Sequence, residues 1–146
     1  MPVLLDEDHV LLNQEYSSKD DVIRAIGSIM VACGEVTPCY VEGMLRKEEI
    51  FSTWITEGVA LPHGTNDVKS EVARNSVVVV QMPSGIDWGQ GKTVHLAIGF
   101  AGCGNDDHIK LMTAIARVLQ DKELMSRLRS TSDKTEVVRL LSDSRK

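Results

Sequence analysis

A histidine at position 63 carries the first indication of chemistry in this sequence. It belongs to the segment LPHGT at residues 61–65 and directly follows residues 58–61, which predict a short β-strand cut by a proline. Ligands of open α/β sheets gather beyond the carboxyl ends of strands. Neutral imidazole is a nucleophile near neutral pH, because its unperturbed pKa is about 6.5. We therefore expect His63 to be a nucleophile at a sheet edge, with the Thr65 hydroxyl able to donate to an anionic group.

A second candidate region is the loop at residues 102–108, which leaves another predicted strand and enters a predicted helix. The first amides of that helix have no partner within it, and they favour an anion by roughly 0.3–1 kcal/mol through the helix dipole. His108 lies in the first turn. If the two strands point the same way, His63 and His108 approach each other above one sheet edge. A phosphate carried by one histidine would then be held by the other together with the helix amides.

Each of these assignments has a structural alternative. His108 fits equally well a residue at the margin of the core that satisfies a backbone carbonyl, and His63 fits an exposed loop residue without a role. Arg46 and Lys47, near the end of a predicted helix, are either a solvated pair that complements the helix dipole or contacts for a phosphate. The residue types alone leave these alternatives open.

Other patterns argue against several kinds of site. The letters GKT at residues 91–93 resemble a phosphate-binding loop, but the first glycine that such a loop requires falls on Ile86 and a strand follows, so we predict a surface turn. Cys103 and His108 would supply two ligands where zinc needs three or four. We expect no metal and no other cofactor. His95 is expected to be a packed or edge residue, and His9 gives no indication of a role.

Composition narrows the class of protein. Sixteen basic and twenty-one acidic residues give a net charge of −5, which is not the charge expected of a nucleic-acid binder, and no nucleic-acid partner is expected. The longest apolar runs are far shorter than the roughly 20 residues that span a bilayer. The first residues do not resemble a signal peptide. Three cysteines without CxxC spacing favour reduced thiols in the cytoplasm.

Two helices and a strand are predicted in the first third of the chain. Ser17 and Ser18 precede acidic residues and an apolar helical pattern that stops at Gly34. Thr37 and Pro38 begin a second helix that runs to about Glu49. A short strand is predicted at residues 9–12.

The middle of the chain predicts strands and the end predicts helices. Besides residues 58–61, strands are expected at residues 77–82, which a turn at residues 83–85 would stop, and at residues 94–101. The last strand would present one face of larger residues, namely Val94, Leu96, Ile98 and Phe100. Its other face is made of small residues that let a helix pack closely.

Three helices are expected after residue 102. On the first, one stripe of the helix would be made of His108, Leu111, Met112, Ile115 and Leu119. Two shorter helices follow near residues 121–128 and 134–141, the second capped by Ser132.

These elements predict one layered α/β domain that spans residues 1–146, with a central mixed β-sheet flanked by helices on both faces. The sheet is expected to be mixed because residues 77–82 and 94–101 are joined by a loop too short for a crossover helix. We find no internal repeat and no linker.

Several separated blocks resemble one family. Residues 48–65, EEIFSTWITEGVALPHGT, resemble the active-site segment of the mannitol/fructose-type enzyme IIA (EIIA) of the bacterial phosphoenolpyruvate:sugar phosphotransferase system. Residues 82–88, MPSGIDW, look like the loop of mannitol-type members. Residues 97–102 and 107–109 look like their second site segment. Because these blocks occur in the right order over most of the chain, the resemblance is far more specific than the letters PHG alone.

The resemblance implies a phosphoryl carrier. The histidine at the position of His63 accepts a phosphoryl group from phospho-HPr through Nε2 and passes it to a cysteine of the IIB domain of a mannitol-type permease (IICB). His108 matches a second histidine that supports the phosphorylated state. A basic residue, usually arginine, precedes the strand in the family, and that position falls on Lys47, with Arg46 beside it. The family fold is a mixed sheet with helices on both faces.

The resemblance also suggests an alternative of another class. Nitrogen-type enzymes IIA, which are related to this family, use the same histidine to signal phosphorylation state to other proteins. The segment GIDW at residues 85–88 favours the mannitol branch. We therefore expect a cytoplasmic phosphotransferase component that docks HPr and IIB and is not itself inserted into a membrane.

Overall fold

Five strands form one mixed sheet in the computed structural model, which describes residues 5–144, without the side chains of residues 143 and 144. The strands are β1 (Val10–Leu11), β2 (Trp54–Thr56), β3 (Gly58–Ala60), β4 (Ser76–Gly89) and β5 (Lys92–Ala101). Their order across the sheet is β1-β4-β5-β3-β2. The predicted strand at residues 9–12 is shorter than expected, because Glu7–His9 forms a 3₁₀ turn.

Five α-helices flank the sheet: α1 (Lys19–Ala32), α2 (Pro38–Ile50), α3 (Gly104–Gln120), α4 (Lys122–Ser130) and α5 (Lys134–Ser144). The Ser18 hydroxyl caps α1 by accepting from Asp21 N at 3.2 Å, and Pro38 stands at the first position of α2, both as predicted. Among residues 5–144, no helix combines the length and the apolar character needed to cross a membrane.

The strand directions place the predicted site segments together. β3 pairs with β5 in parallel, and β5 pairs with β4 as an antiparallel hairpin, so the sheet is mixed as expected. Because β3 and β5 run the same way, the residues that follow them emerge at the same edge of the sheet. His63 follows β3 and the loop into α3 follows β5.

Each face of the sheet has its own apolar core. One core lies under α1 and α2 and includes Ile26, Tyr40 and Met44. The other lies under α3, α4 and α5 and includes Phe100 and Leu111. The predicted close approach of a helix to the small-residue face is confirmed at Gly99, where a Cβ atom would stand 2.5 Å from Ile26 Cγ2.

The predicted turn at residues 83–85 is wrong. β4 continues through these residues, and the hairpin turn comes later, at Gln90 and Gly91, which is the surface turn expected for the GKT letters. Pairing resumes with Ile86 opposite Val94 after an irregularity that begins beyond Gln81. Gly85 absorbs it with a φ of 77°, and His95 Nδ1 donates to the Pro83 carbonyl at 3.2 Å. The turn-forming residues 83–85 therefore produce a bulge in β4 and not a chain reversal, because β5 continues to pair with β4 beyond them.

A second irregularity, between β3 and β5, changes one predicted face of β5. Gly58 pairs with Val94 and the next residue, Val59, pairs with Leu96, so β5 has one extra residue at this point. Val94 belongs to the core under α1 and α2, whereas Leu96, Ile98 and Phe100 belong to the other. The expectation that Val94 shares their face is wrong, because an extra residue in a strand shifts the alternation.

Two further details of the helical end differ from the expectation. Met112 is exposed on α3, and Val118 is buried beside Leu111 and Ile115. Asp133, not Ser132, caps the start of α5, because its carboxylate accepts a hydrogen bond from Thr135 N at 3.0 Å.

His9 has no role that the sequence indicates, but in the structure it is buried and forms ion pairs that join the N-terminal turn to the segment after α1. Its Nδ1 contacts Asp6 Oδ1 at 2.6 Å and its Nε2 contacts Glu35 Oε2 at 2.7 Å. The hydrogen bond to Glu35 is the main cause that raises the pKa of His9 to about 9, with Asp6 adding to it and burial opposing it. His9 is therefore a buried cation between two carboxylates at neutral pH.

This arrangement predicts a loss of stability in alkali. Because the folded-state pKa of His9 lies above its unfolded value of about 6.5, the contribution is complete below that pH and disappears as the pH rises to about 9. We expect the free energy of unfolding, measured by urea titration, to fall by roughly 1–3 kcal/mol between pH 6.5 and 9.5. His9→Gln should flatten this slope and His95→Gln should keep it. A wild-type protein equally stable across this range would contradict the assignment.

Candidate active site

The backbone around His63 is held by the two neighbouring segments. Leu61 N donates to Thr53 O at 2.9 Å, and Phe100 N donates to Pro62 O at 3.0 Å. Pro62 has no N–H of its own, so its carbonyl is its only contribution to the sheet edge. His63 thus leaves a chain that is tied on one side to the segment before β2 and on the other to β5.

The hydrogen bond of His63 determines which ring nitrogen is available. Nδ1 lies 2.8 Å from the Leu61 carbonyl oxygen. A carbonyl only accepts hydrogen bonds, so Nδ1 must carry the proton. In the neutral ring the lone pair is then on Nε2. The side chain is half-buried, so part of it is open to solvent.

The ring is neutral at physiological pH. Burial is the main cause that lowers the pKa of His63, and the charges of Lys47 and Lys69 lower it further. The hydrogen bond to Leu61 O and the charge of Glu48 oppose this shift. A neutral imidazole with a free Nε2 is the nucleophilic form of histidine.

The expected approach of the two histidines is confirmed. The ring centroids of His63 and His108 lie 5.6 Å apart, at an interplanar angle of 59°. Phe100, the penultimate residue of β5, contacts both: its centroid is 4.8 Å from that of His63, in a stacked arrangement, and 5.3 Å from that of His108. Three rings from three elements therefore form one cluster at the sheet edge.

Gly102 lets α3 bring His108 to this cluster. A Cβ atom at position 102 would lie 2.6 Å from both the Cα and the N of His108, so only glycine permits this approach of backbone to backbone. Burial is the main cause that lowers the pKa of His108 to about 4, and the charges of Lys69, His63 and Lys47 add to it. Within residues 5–144 the His108 ring makes no hydrogen bond, so this neutral imidazole is available to a ligand.

Tyr40 of α2 joins the two site segments. Its hydroxyl accepts from Gly64 N at 2.9 Å and donates to Phe100 O at 3.2 Å. Burial raises the pKa of Tyr40 to about 12, so the hydroxyl keeps its proton. A side chain on Gly64 would collide with the tyrosine ring, since a Cβ there would stand 2.7 Å from Tyr40 Cε1. Tyr40 thus fixes the residue after His63 relative to β5.

Thr65 and Arg46 lie together but are engaged with Asp67. The Thr65 hydroxyl donates to Asp67 Oδ1, and Arg46 Nη2 lies 3.3 Å from Asp67 Oδ2 and 3.5 Å from Thr65 Oγ1. A contact of Thr65 with an anion would therefore require its hydroxyl to turn away from Asp67.

Two lysines complete the positive side of the site. Lys47 Nζ lies 5.9 Å from the centroid of the Phe51 ring. Lys69 Nζ donates to Asn105 Oδ1 at 2.7 Å, which joins the 3₁₀ turn Asn66–Glu71 to the first turn of α3. The charges of both lysines lower the pKa of both histidines, so their fields act on the space between the two rings.

Glu48 is a buried carboxylate behind the site. It accepts from Trp88 Nε1 at 2.7 Å, from Thr53 N at 3.1 Å and from the Thr53 hydroxyl at 2.5 Å. Lys19 Nζ lies 3.8 Å away. Because Thr53 O receives the Leu61 N–H, Glu48 fixes the segment that leads to His63.

Large apolar side chains are exposed beside these groups. Ile109 and Met112 follow His108 on α3 by one residue and by one helical turn, and Phe51 lies against Lys47. The exposed fractions are 60% for Ile109 and 70% for Phe51. Exposed apolar residues grouped beside a site are typical of protein-docking surfaces.

The structure offers one group of potential metal ligands among residues 5–144. His9 Nε2, Cys33 Sγ and a Glu35 carboxylate oxygen lie within 4.8 Å of one another. The group includes no residue of the histidine pair, and His9 is already held by Asp6 and Glu35. Cys103 and His108, which the sequence offered as two isolated ligands, do not belong to it.

Sequence reasoning found the two histidines but missed three of their neighbours. His63, His108 and Thr65 lie where the predicted segments meet, and Arg46 and Lys47 lie on α2 beside them. Tyr40, Glu48 and Lys69 were not singled out. A tyrosine hydroxyl and a carboxylate in the interior become informative only when their partners are known, because those partners are 24 and 40 residues away in sequence.

The comparisons with known proteins agree with this architecture. The model of the family "Phosphoenolpyruvate-dependent sugar phosphotransferase system, EIIA 2" matches residues 3–144. The chain is 31% identical over 140 residues to the mannitol-specific phosphotransferase enzyme IIA component of Bacillus subtilis, an alignment that covers 96% of this chain and 97% of the relative.

Two solved structures from Escherichia coli are also similar. The crystal structure of IIA mannitol is 34% identical, has a TM-score of 0.85, and is matched over 94% of this chain and 99% of that one. The enzyme IIA in a complex with phosphorylated enzyme IIB of the mannitol system is 32% identical, has a TM-score of 0.89, and is matched over 97% and 99%. The family model and the full-length relative show that this chain belongs to the EIIA 2 family of the sugar phosphotransferase system.

Removal of the Tyr40 hydroxyl tests its bridging role. Tyr40→Phe should lower the free energy of unfolding by about 1–3 kcal/mol in urea titrations, because the buried Gly64 N–H loses its acceptor. The NMR signals of the His63 ring should also shift in this variant. The matched control is Tyr16→Phe, since Tyr16 is only half-buried and its hydroxyl donates to Gln14 at 3.3 Å. Its effect should stay within about 0.5 kcal/mol. Equal losses in the two variants would contradict the assignment.

Proposed function

We propose that this protein is a phosphoryl carrier of a bacterial sugar phosphotransferase system. In this proposal His63 accepts a phosphoryl group from phospho-HPr and passes it to a cysteine of the IIB domain of a mannitol-type permease. The observation that carries the proposal is the His63 Nδ1 hydrogen bond to Leu61 O, which leaves Nε2 as the free nitrogen of a neutral ring. The mannitol names of the similar proteins support the sugar class.

The first transfer needs no base. The lone pair of His63 Nε2 attacks phosphorus in line, the Nε2–P bond forms, and the bond between phosphorus and the donor breaks. Nδ1 keeps its proton throughout, because the Leu61 carbonyl continues to accept it. The phosphorylated ring is then a cation, which makes it a good leaving group for the second transfer. There the sulfur of IIB attacks phosphorus, the S–P bond forms, and Nε2 regains its lone pair.

Protein groups must neutralise the transferred charge, which is about −1.5 to −2 for a phosphoryl group at neutral pH. His108 is the titratable ring beside His63, with a centroid separation of 5.6 Å and a pKa of about 4 before the group arrives. A dianion beside it would raise that pKa. Its ring N–H and the free amides at the start of α3 can then donate to the phosphoryl oxygens.

Lys47, Arg46 and Thr65, which were also predicted from the sequence, contribute less than His108 in this proposal. Lys47 acts through its charge, which reaches both histidines, while Arg46 holds Asp67. Thr65 would contribute only after its hydroxyl leaves Asp67. Charge-assisted hydrogen bonds are worth roughly 1.5–3 kcal/mol each, so two or three suffice to hold the group without trapping it.

Two successive protein partners require a surface as well as a nucleophile. The exposed side chains of Phe51, Ile109 and Met112 beside the histidines offer that surface. The solved complex of a similar enzyme IIA with phosphorylated IIB supports the second partner. We place the protein in the cytoplasm, where HPr acts, with residues 1–146 working as one EIIA domain. Its three free cysteines are compatible with a reducing compartment.

The decisive experiment is incubation with phosphoenolpyruvate, enzyme I and HPr, followed by mapping of an acid-labile phosphate. The wild-type protein should be labelled on His63. His63→Ala should lose the label completely, because the nitrogen that would accept the phosphoryl group is removed, whereas His95→Ala should be labelled normally. A labelled His63→Ala protein would rule out the assignment.

Addition of purified IIB of a mannitol permease to the labelled protein tests the second transfer. Loss of label from the protein, with gain of label on IIB, supports the carrier. A protein that accepts the group and keeps it in the presence of this IIB would instead fit the regulatory, nitrogen-type alternative.

His108 is expected to matter in the second step. His108→Ala should still accept the group from phospho-HPr but should pass it to IIB about 10²-fold more slowly, because the transition state loses one donor. Rapid-quench measurement of the two transfers separates them. Transfer to IIB at the wild-type rate would mean that His108 has only a structural part.

A further inference from the structure

The three cations beside the histidine pair differ in how strongly they are already engaged. Arg46 forms an ion pair with Asp67 at 3.3 Å and also reaches Thr65. Lys47 lies over the Phe51 ring. Lys69 donates only to the neutral side-chain amide of Asn105, at 2.7 Å. In the part of the chain that the structure describes, no carboxylate lies within ion-pair distance of Lys69 Nζ.

The charge of Lys69 acts on both histidines of the pair. Apart from burial, it is the largest cause of the lowered pKa of His108, and it also lowers the pKa of His63. A cation that disfavours the protonation of both rings favours a negative charge placed between them, since the same field acts with opposite sign on an anion.

The backbone under Lys69 is fixed while its side chain has freedom. The 3₁₀ turn Asn66–Glu71 begins with the hydrogen bond from Val68 N to Thr65 O and ends with that from Val72 N to Lys69 O. Val68 is buried and packs against the glycine at position 43 and against Gly64. The half-exposed lysine thus projects from a rigid turn six residues after His63, on a flexible stem of four methylenes.

The present partner of Lys69 is a weak one for a cation. Asn105 lies in the first turn of α3, where the helix dipole is positive and disfavours an ammonium group. Asp107 of that turn is held by Asn75 at 3.1 Å, and Asp106 is exposed. A dianion at the start of α3 would relieve this repulsion and would offer Lys69 a charge-assisted hydrogen bond in place of a neutral one.

We propose that Lys69 is the mobile cation of this site: it leaves Asn105 when His63 is phosphorylated and binds the phosphoryl oxygens with its ammonium group. This inference rests on the proposed phosphoryl transfer at His63 and adds a binding residue to it. Only hydrogen bonds change, from Lys69 Nζ–Asn105 Oδ1 to Lys69 Nζ–phosphoryl oxygen. Lys47 and Arg46 then contribute only the field of their charges and no hydrogen bond to the phosphoryl group, because their side chains keep their present partners.

The test compares Lys69→Gln with Lys69→Arg and with the charge-matched control Lys134→Gln on α5. With phosphoenolpyruvate, enzyme I and HPr, Lys69→Gln should be labelled at least about tenfold more slowly than the wild type. Lys69→Arg keeps the charge and should be labelled within about threefold of the wild-type rate. The control should match the wild type. All variants are checked for the wild-type unfolding midpoint.

A second measurement is independent of rate. In the phosphorylated protein, ³¹P signals followed against pH report the second pKa of the phosphoryl group. A neighbouring ammonium lowers that pKa, so Lys69→Gln should raise it while Lys134→Gln leaves it unchanged.

The outcomes distinguish the two proposals. If the wild type is labelled on His63 but Lys69→Gln is labelled equally fast with the same phosphoryl pKa, the role of Lys69 is wrong and the carrier function stands. Equal slowing in Lys69→Gln and Lys69→Arg would also overturn it, because the charge would then be irrelevant. A wild type that accepts no label overturns the carrier function, and the role of Lys69 with it.

Discussion

The hydrogen bond from His63 Nδ1 to Leu61 O is the interaction on which the site depends. A histidine in a loop has two tautomers, and only one of them leaves Nε2 as a nucleophile. The acceptor is a backbone oxygen two residues earlier, so the proton is placed by the path of the chain and not by another side chain. Burial and two lysine charges then keep the ring neutral. Glu48 and Tyr40 hold this loop in place, and the charges of Lys47 and Lys69 act on both histidine rings.

The fold supports that hydrogen bond through short links between elements. Glu48 holds Thr53, Thr53 receives the Leu61 N–H, and Pro62 receives the Phe100 N–H. Tyr40 closes the ring of contacts. The loop of His63 is therefore fixed from α2, from the segment before β2 and from β5, while the half-buried side chain of His63 keeps part of its surface open to solvent. The proposed carrier function requires this combination of rigidity and access, because the group must be both received and released.

Elements with strong local signals were predicted well, and elements that depend on a partner were not. The starts of α1 and α2 follow from Ser18 and Pro38, whose effects are confined to one helical turn. The residues at 83–85 have the composition of a turn, yet β4 runs through them, because β5 continues to pair beyond the bulge. An extra residue in β5, opposite β3, places Val94 in the other core. Met112 was assigned to the interior by spacing, but the stripe on α3 is narrower than the spacing suggested, and Met112 lies beside the site at the surface.

Neither β2 nor the parallel direction of β3 and β5 follows from the sequence alone. The amino-acid sequence by itself determined the five helices, the mixed character of the sheet, and the positions of His63 and His108 after two strands. These follow from periodicity, caps and loop length, which act over a few residues. Only the tertiary structure decided the tautomer of His63, the 5.6 Å separation of the two rings and the engagement of each cation. The charge of the buried His9 and the contacts of Tyr40, Glu48 and Lys69 at the site are also visible only in the tertiary structure. Such properties depend on burial and on fields from residues distant along the chain, and these exist only once the sheet has brought its edges and helices together.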